Sequence, residues 1–200
     1  MFVVFEGIEA SGKSTQAKLL YERLIREGWG AILTHEPGDT PVGKKLREIV
    51  LSEPMDRLTE LLLFLADRRE HVMRVIAPAL HEGKVVLCDR YLYSTVAYQM
   101  YGRGLRKEFV DELHTEIVGN IFPRRVYLLD IDVEEAFRRK KGTLDRIEQE
   151  SLAFHQRVRE GFLDMARRDP VFCVLDGKEQ VETLHEKIWG DFHRFLKEEK

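Results

Sequence analysis

A glycine-rich segment near the start of the chain has the residue types and spacing that hold phosphate groups. It matches the pattern G-x-x-x-x-G-K-[ST], in which backbone N–H groups surround phosphate oxygens and the lysine ammonium reaches the β- and γ-phosphates. A helical pattern with Ala17, Leu20 and Leu24 follows, so a helix N-terminus adds partial positive charge at the same place. The predicted phosphate-binding residues are Gly7, Ile8, Glu9, Ala10, Ser11, Gly12, Lys13, Ser14 and Thr15.

A second acidic position suits a metal ion that accompanies bound phosphates. Four apolar residues precede Asp89 in the segment Val85–Asp89, which predicts a buried strand that ends in a carboxylate. The carboxyl edge of a parallel sheet is where ligands bind. An aspartate there usually only forms a turn, but beside a phosphate-binding loop it is expected to help hold Mg²⁺. We therefore predict Ser14 and Asp89 as the metal ligands.

Five apolar segments are predicted to form the strands that position these groups. They lack the polar alternation of half-exposed strands, which is typical of strands covered on both faces. Amphipathic segments lie between them, and the longest, Asp56–Glu82, contains Pro78, which is expected to kink or divide it. This alternation predicts an α/β sandwich with a mainly parallel sheet. The strand segments are Phe2–Glu6, Ala31–His35, Val85–Asp89, Val126–Ile131 and Val171–Leu175.

Length and composition favour one domain over residues 1–200. The longest apolar run, Leu61–Ala66, has six residues, whereas a membrane-spanning helix needs about 18, and no signal peptide is visible. The 32 basic and 35 acidic residues give a net charge of −3, which argues against an extended nucleic-acid surface. We therefore expect no membrane and no nucleic acid as a partner. Cys88 and Cys173 are expected to be free thiols of a cytoplasmic protein.

Five separated motifs closely resemble, in order, those of the thymidylate kinase family. The resemblance implies a P-loop NTPase-type three-layer sandwich with a five-stranded parallel sheet of order 2-3-1-4-5, a short basic lid and a homodimer. It also implies transfer of the ATP γ-phosphoryl group to dTMP with Mg²⁺ as cofactor, giving dTDP and ADP. The motifs are Phe5-Glu6-Gly7 leading into the phosphate-binding loop, His35-Glu36-Pro37-Gly38, Phe64-Leu65-Ala66-Asp67-Arg68, Asp89-Arg90-Tyr91 with the later Ala97-Tyr98-Gln99, and Tyr101-Gly102-Arg103-Gly104.

The same resemblance implies how dTMP is bound. Phe64 would stack on the base, Arg68 would donate a hydrogen bond to a base carbonyl, and Gln99 would recognise the base edge. Tyr98 would pack under the deoxyribose and disfavour a 2′-hydroxyl. The residue pattern alone favours a core role for Phe64, which lies in a leucine-rich helix. The implied substrate-binding residues are Pro37, Arg47, Phe64, Arg68, Arg90, Ser94, Thr95, Tyr98 and Gln99, of which Arg47 and Arg90 would hold the dTMP phosphate.

The stretch Val133–Glu148 contains the predicted lid, over residues 138–148. Its part Arg138–Arg146 has a net charge of +4; most such runs are solvated helix ends, but a mobile cationic segment can neutralise a migrating phosphoryl group. The chain resembles the members of the family without a P-loop arginine, because Ala10 follows Glu9, so the lid is expected to supply that charge. The predicted catalytic residues are Lys13, Glu9, Arg90, Arg139 and Arg146.

One departure and three alternatives accompany this interpretation. Asp39 stands where the family commonly has glycine, which leaves the geometry of that substrate loop open. The alternatives are another small P-loop nucleotide or nucleoside kinase, a nucleotide-dependent switch, and a P-loop protein that acts on nucleic acid. Asn120 is the only asparagine in the chain, so the Asn-Lys-x-Asp motif of a guanine-reading switch is absent. The seven histidines show no metal-site spacing and are expected to be structural or on the surface.

Overall fold

The computed structural model describes residues 1–198 of the chain. Five parallel strands form one sheet in the order β2-β3-β1-β4-β5, which confirms the predicted fold class and strand order. The strands are β1 (Phe2–Glu6), β2 (Ala31–His35), β3 (Val85–Asp89), β4 (Arg125–Asp130) and β5 (Phe172–Asp176).

Helices cover both faces of this sheet. Two further segments, Val72–Ile76 and Val96–Gly102, are π-helical and continue from the helices before them. The α-helices are α1 (Lys13–Arg26), α2 (Pro41–Ser52), α3 (Arg57–His71), α4 (Ala77–His81), α5 (Leu92–Thr95), α6 (Lys107–Val118), α7 (Val133–Arg139), α8 (Leu152–Arg168) and α9 (Val181–Glu198).

The central strand β1 explains why both faces are covered. Its successive side chains point to opposite sides, and all of them are buried. Val3 and Phe5 pack in a core with residues of α1 and α9, while Phe2 and Val4 pack in a second core with residues of α8 and of the α3–α4 stretch. A continuous apolar strand therefore has an apolar partner on each face, as the sequence pattern predicts.

The predicted strand positions are correct for β1, β2 and β3, and differ by one residue for the other two. β4 lies one residue earlier than predicted and β5 one residue later. The pairing sets these limits, since Asp130 lies opposite Asp176 at the carboxyl edge. Apolar residues alone could not show that a charged residue closes each strand.

The helical stretch that contains Pro78 widens at one point and is not divided. Helix α3 continues through the π-helical turn Val72–Ile76 into α4, and the N–H of Ala77 donates to the C=O of Val72, five residues earlier. Proline has no N–H and its ring clashes with the carbonyl four residues before it. A wider turn removes that clash. Among residues 1–198, no helix is long and apolar enough to cross a membrane.

Candidate active site

A cavity of about 650 Å³ lies at the carboxyl edge of the sheet, where β1, β2 and β3 end. Most of the side chains predicted for the site line it, although they come from elements far apart in the sequence. The predicted residues on its wall are Glu9, Ala10, Lys13, Ser14, Pro37, Arg47, Phe64, Arg68, Asp89, Arg90, Ser94, Thr95, Tyr98 and Gln99.

The P-loop, which is the glycine-rich segment from Gly7 to Ser14, forms the floor of one end of this cavity, here called the phosphate end. Gly7 has φ 142°, and a Cβ there would lie 2.5 Å from the carbonyl oxygen of Leu129, so the tight turn requires glycine. Gly12 has φ 97° and directly precedes α1. The Lys13 ammonium is buried and donates to the carbonyl of Ile8 at 3.0 Å. Burial, together with the charge of Arg90, lowers the pKa of Lys13 to about 8.

Ser14 and Asp89 meet beside the P-loop, as predicted. The Ser14 hydroxyl donates to Oδ2 of Asp89. Oδ1 of Asp89 is buried and receives no hydrogen bond from the part of the chain that the structure describes. A hydroxyl oxygen and a carboxylate oxygen are the hard ligands that Mg²⁺ prefers. The two side chains therefore fit a magnesium ion that is also bound to nucleotide phosphates.

Arg90 crosses from the end of β3 to the P-loop. Its φ of 68° lies in the left-handed region, which is costly for a residue with a side chain and is often kept at functional sites. Its guanidinium donates to the carbonyl of Gly7 at 3.1 Å and to Glu9 at 2.9 Å. The Ser94 hydroxyl is a further acceptor at 3.1 Å. Arg90 is thus held in one position beside Lys13, with its charge in the cavity.

Glu9 joins the phosphate end to the middle of the cavity. It accepts hydrogen bonds from Arg90 and from the hydroxyl of Tyr98. Burial alone would raise the pKa of Glu9, but the charges of Arg90 and Lys13 outweigh it and hold that pKa below its usual value. The ring of Tyr98 also lies under the Arg90 guanidinium, whose central carbon is 5.2 Å from the ring centre. Tyr98 is therefore fixed at both its ring and its hydroxyl.

The other end of the cavity, here called the base end, contains Phe64 and Gln99. Phe64 is half-buried, packs against the core and lines the cavity. Its stacking on a base stays a prediction. Gln99 is 1% exposed and its amide nitrogen donates to Glu60 at 2.9 Å. Gln99 and Tyr98 lie in the second π-helical segment, a feature often found at functional sites.

Arg68 lines the base end, but its guanidinium is already bound to protein groups. Nε and Nη2 contact Glu36 at 2.8 Å, Nη1 contacts Thr95 and His114 at 2.8 and 3.2 Å, and Nη2 also donates to the carbonyl of Tyr91 at 3.0 Å. Four of these contacts are hydrogen bonds and the fifth, between Nη2 and Glu36, is an ion pair, so they engage all three guanidinium nitrogens. A hydrogen bond to a base carbonyl would have to replace one of them, so that role stays a prediction.

The substrate loop after β2 accommodates the unusual Asp39. Its carboxylate accepts a hydrogen bond from the hydroxyl of Thr34, and its φ is not in the left-handed region. A side chain therefore fits at this position without backbone strain. Arg47, in helix α2, donates to the carbonyl of Pro37 in this loop at 2.7 Å, and both residues line the cavity.

The two lid arginines that were predicted to be catalytic, Arg139 and Arg146, do not line the cavity. Arg139 donates to Glu135 and to the carbonyl of Gly177 at 2.8 Å. Arg146 donates to Glu60 at 2.7 Å and to the carbonyl of Val50. Helix α7 ends at Arg139, which leaves a loop whose cavity-lining residues are Lys140, Asp145, Ile147 and Glu148. A direct role of Arg146 requires this loop to change position when ATP binds, and a direct role of Arg139 requires the end of α7 to move as well.

The sequence motifs indicated the cationic residues of the site but not the buried carboxylates that bind them. Glu36 and Glu60 are 5% and 1% exposed and together bind Arg68, Arg103 and Arg146. A signal was present, because Glu60, Phe64 and Arg68 are spaced by four and lie on one helix face. Lys140 of the basic stretch also reaches the cavity, where it pairs with Glu148.

Comparison with known proteins agrees with the motifs. Residues 5–188 match the family model of thymidylate kinase. A thymidylate kinase of Synechococcus sp. (strain JA-2-3B'a(2-13)) is 49% identical over 192 residues, which cover 95% of this chain and 93% of that protein. One from Halothermothrix orenii is 42% identical over 196 residues, 94% of each. The crystal structure of thymidylate kinase from Ehrlichia chaffeensis has a TM-score of 0.82 at 33% identity and covers 96% of this chain and 98% of that one.

Proposed function

The chain belongs to the thymidylate kinase family, and we propose that it transfers the γ-phosphoryl group of ATP to dTMP in the synthesis of dTTP. The products are dTDP and ADP, and the enzyme is a nucleoside monophosphate kinase. One observation carries the proposal: a single cavity contains the P-loop Lys13, the arginine Arg90 and the amide of Gln99. The cavity can therefore hold ATP and dTMP next to each other, each in contact with protein side chains.

The reaction needs no covalent intermediate with the protein. An oxygen of the dTMP phosphate attacks the γ-phosphorus, the bond to the β–γ bridging oxygen breaks, and ADP leaves. Lys13 stabilises the negative charge on the β- and γ-phosphates. Arg90, which Glu9 and the Gly7 carbonyl hold in place, binds the acceptor phosphate. The protein contributes positioning and charge neutralisation.

We propose Mg²⁺ as the cofactor, with Ser14 and Asp89 as its protein-side ligands. The unpartnered Oδ1 of Asp89 is the observation that supports this assignment. When bound, the ion screens the phosphate oxygens from each other and orients the γ-phosphoryl group. The carboxylate of Asp89 also accepts a hydrogen bond from the Ser14 hydroxyl, which keeps that hydroxyl beside the proposed metal site.

At the base end, we propose that Phe64 stacks on thymine and Gln99 reads its edge. The fixed ring of Tyr98 lies between this end and the phosphate end. A ring in that position fills the space beside the sugar, which disfavours a 2′-hydroxyl. Pro37, Arg47, Ser94 and Thr95 complete the dTMP site in this proposal.

A coupled ADP-release assay over dTMP, dUMP, UMP, dCMP and AMP tests the proposal. We expect dTMP to have the highest kcat/KM and dUMP to exceed UMP, a pair that differs only in the 2′-hydroxyl. Equal activity on AMP and dTMP would overturn the proposal and favour a P-loop kinase with another acceptor.

We also propose that the enzyme is a homodimer. Leu58, Leu62, Ala66 and Met73 form an exposed stripe along α3 and the turn after it, and the three larger side chains are 42–51% exposed. An exposed apolar stripe on a helix, interrupted here only by Arg69, suits a second copy of the same surface. Light scattering after gel filtration should give twice the monomer mass, and Leu62→Lys should reduce it.

We propose a cytoplasmic location. Cys88 and Cys173 are free thiols, which is typical of proteins in a reducing compartment. ATP, the proposed phosphoryl donor, is available there. Fractionation of cells that express a tagged chain would test this.

A further inference from the structure

Glu60 is a buried carboxylate in helix α3 with an unusual number of donors around it. It is 1% exposed and lies one helical turn before Phe64, on the face that borders the base end. Oε1 accepts from Gln99 Nε2 at 2.9 Å and Arg103 Nε at 3.0 Å. Oε2 accepts from Arg103 Nη2 at 2.9 Å and Arg146 Nη2 at 2.7 Å.

The two arginines determine the charge of this carboxylate. Burial alone would raise the pKa of Glu60, but hydrogen bonds from Arg103 and Gln99 and the charge of Arg103 hold that pKa below its usual value. Glu60 is therefore ionised at neutral pH. An ionised carboxylate has no proton to donate and can only accept hydrogen bonds.

An acceptor-only neighbour fixes which way the Gln99 amide faces. The NH₂ group must point toward Glu60, because the amide oxygen would be repelled there. Gln99 also lines the cavity, and its amide oxygen, which faces away from Glu60, is the acceptor that it offers to a ligand. A ligand group that contacts this oxygen must be a hydrogen-bond donor.

We propose that Glu60 is a positioning residue for base selection: it holds the Gln99 amide so that the amide oxygen accepts a hydrogen bond from a base whose ring nitrogen N3 carries a hydrogen. The proposal rests on the proposed function. Thymine and uracil carry a hydrogen on N3, whereas cytosine has a lone pair there. The amide oxygen of Gln99 accepts from the former and repels the latter, so this orientation excludes dCMP.

Glu60→Gln tests the proposal, with Glu150→Gln as the matched control. Glutamine at position 60 can both donate and accept, so Gln99 is free to turn. Glu150 also pairs with Arg103, and its substitution removes the same charge from the same cluster without contacting Gln99. The dissociation constants of dTMP and dCMP, measured by calorimetry without ATP, give the selectivity directly.

We expect the preference of the wild type for dTMP over dCMP to fall about tenfold to a hundredfold in Glu60→Gln, as for one lost buried hydrogen bond. The preference should be unchanged in Glu150→Gln. An unchanged preference in folded Glu60→Gln would overturn the proposal, and so would an equal loss in both variants. A wild type with no preference for dTMP would instead count against the proposed function.

A second measurement covers the case in which Glu60→Gln does not fold. In wild-type protein, the side-chain amide protons of Gln99, assigned by their loss in Gln99→Leu, should exchange with water more slowly than those of the exposed Gln156. Exchange as fast as that of Gln156 would contradict the hydrogen bond on which the proposal depends.

Discussion

The two ends of the cavity are built in different ways. At the phosphate end, one continuous segment from Gly7 to Ser14 supplies backbone, lysine and hydroxyl, and Asp89 is the only distant group that the proposed metal site needs. At the base end, the side-chain hydrogen bonds of Glu60 and Arg68 join distant elements; Glu60 and Gln99, for example, are 39 residues apart. The groups that bind phosphate are therefore encoded mainly in a short motif, with Arg90 added from the end of β3, while base selection depends on long-range side-chain packing. This difference predicts that the two ends can be damaged separately.

The largest expected effect is that of Lys13→Ala, which damages only the phosphate end. The substitution removes the positive charge that stabilises the β- and γ-phosphates, so kcat should fall about 10³-fold. Calorimetry should show that dTMP binds with nearly unchanged affinity. Lys18→Ala is the control, since Lys18 is an exposed lysine of the same helix. Near-native turnover of Lys13→Ala would refute the P-loop assignment, and loss of dTMP binding would refute the separation of the ends.

The second largest effect is expected from replacement of the lid arginines Arg139 and Arg146, which bind different elements of the protein. Replacing both Arg139 and Arg146 by alanine should lower the single-turnover rate about 10²-fold and weaken dTMP binding far less. Arg138→Ala removes a lid charge that is largely exposed and should change little. A near-native single-turnover rate in the double variant would mean that Lys13, Arg90 and Mg²⁺ suffice.

A smaller effect is expected from pH, which should change the use of ATP at the phosphate end and leave the affinity for dTMP nearly unchanged. Lys13 must be protonated to attract phosphate, and burial with Arg90 lowers its pKa to about 8. As pH rises through 8 the free enzyme loses this charge, so kcat/KM for ATP should fall about tenfold by pH 9. Tyr98 does not titrate in this range, because burial raises its pKa well above its usual value.

The affinity for dTMP should stay nearly constant over the same range. In Lys13→Arg the guanidinium stays charged, and the alkaline fall should disappear even if overall activity is lower. A profile with the same midpoint in Lys13→Arg would assign the titration to another group.

The same difference explains how far the sequence could predict this structure. The meeting of Ser14 with Asp89 follows from a contiguous motif and from strands whose carboxyl ends share one edge, whereas the strand order was implied by the resemblance to the family. Arg146 was recognised as a cation, but its binding to Glu60 and to the Val50 carbonyl depends on how the loop after α7 folds back on α2 and α3. Side-chain types along one segment do not determine such a contact.

Arg68 illustrates the same limit within a correctly recognised motif. Its place beside the base end agrees with the prediction, yet its donors are directed to Glu36, Thr95, His114 and Tyr91. All four of these acceptors lie outside α3, in parts of the chain that the pattern of α3 does not reveal. Position in the fold was predictable from the motif, and hydrogen-bond partners were not.

Both ends belong to one cavity, which we propose holds dTMP and ATP together. The most direct test of this proposal is the dissociation constant of a compound in which a thymidine and an adenosine are joined by a chain of phosphates, compared with that of dTMP alone. If one cavity holds both parts, the linked compound should bind about 10²- to 10⁴-fold more tightly than dTMP, and Lys13→Ala should remove much of that gain. Binding no tighter than that of dTMP would contradict the account.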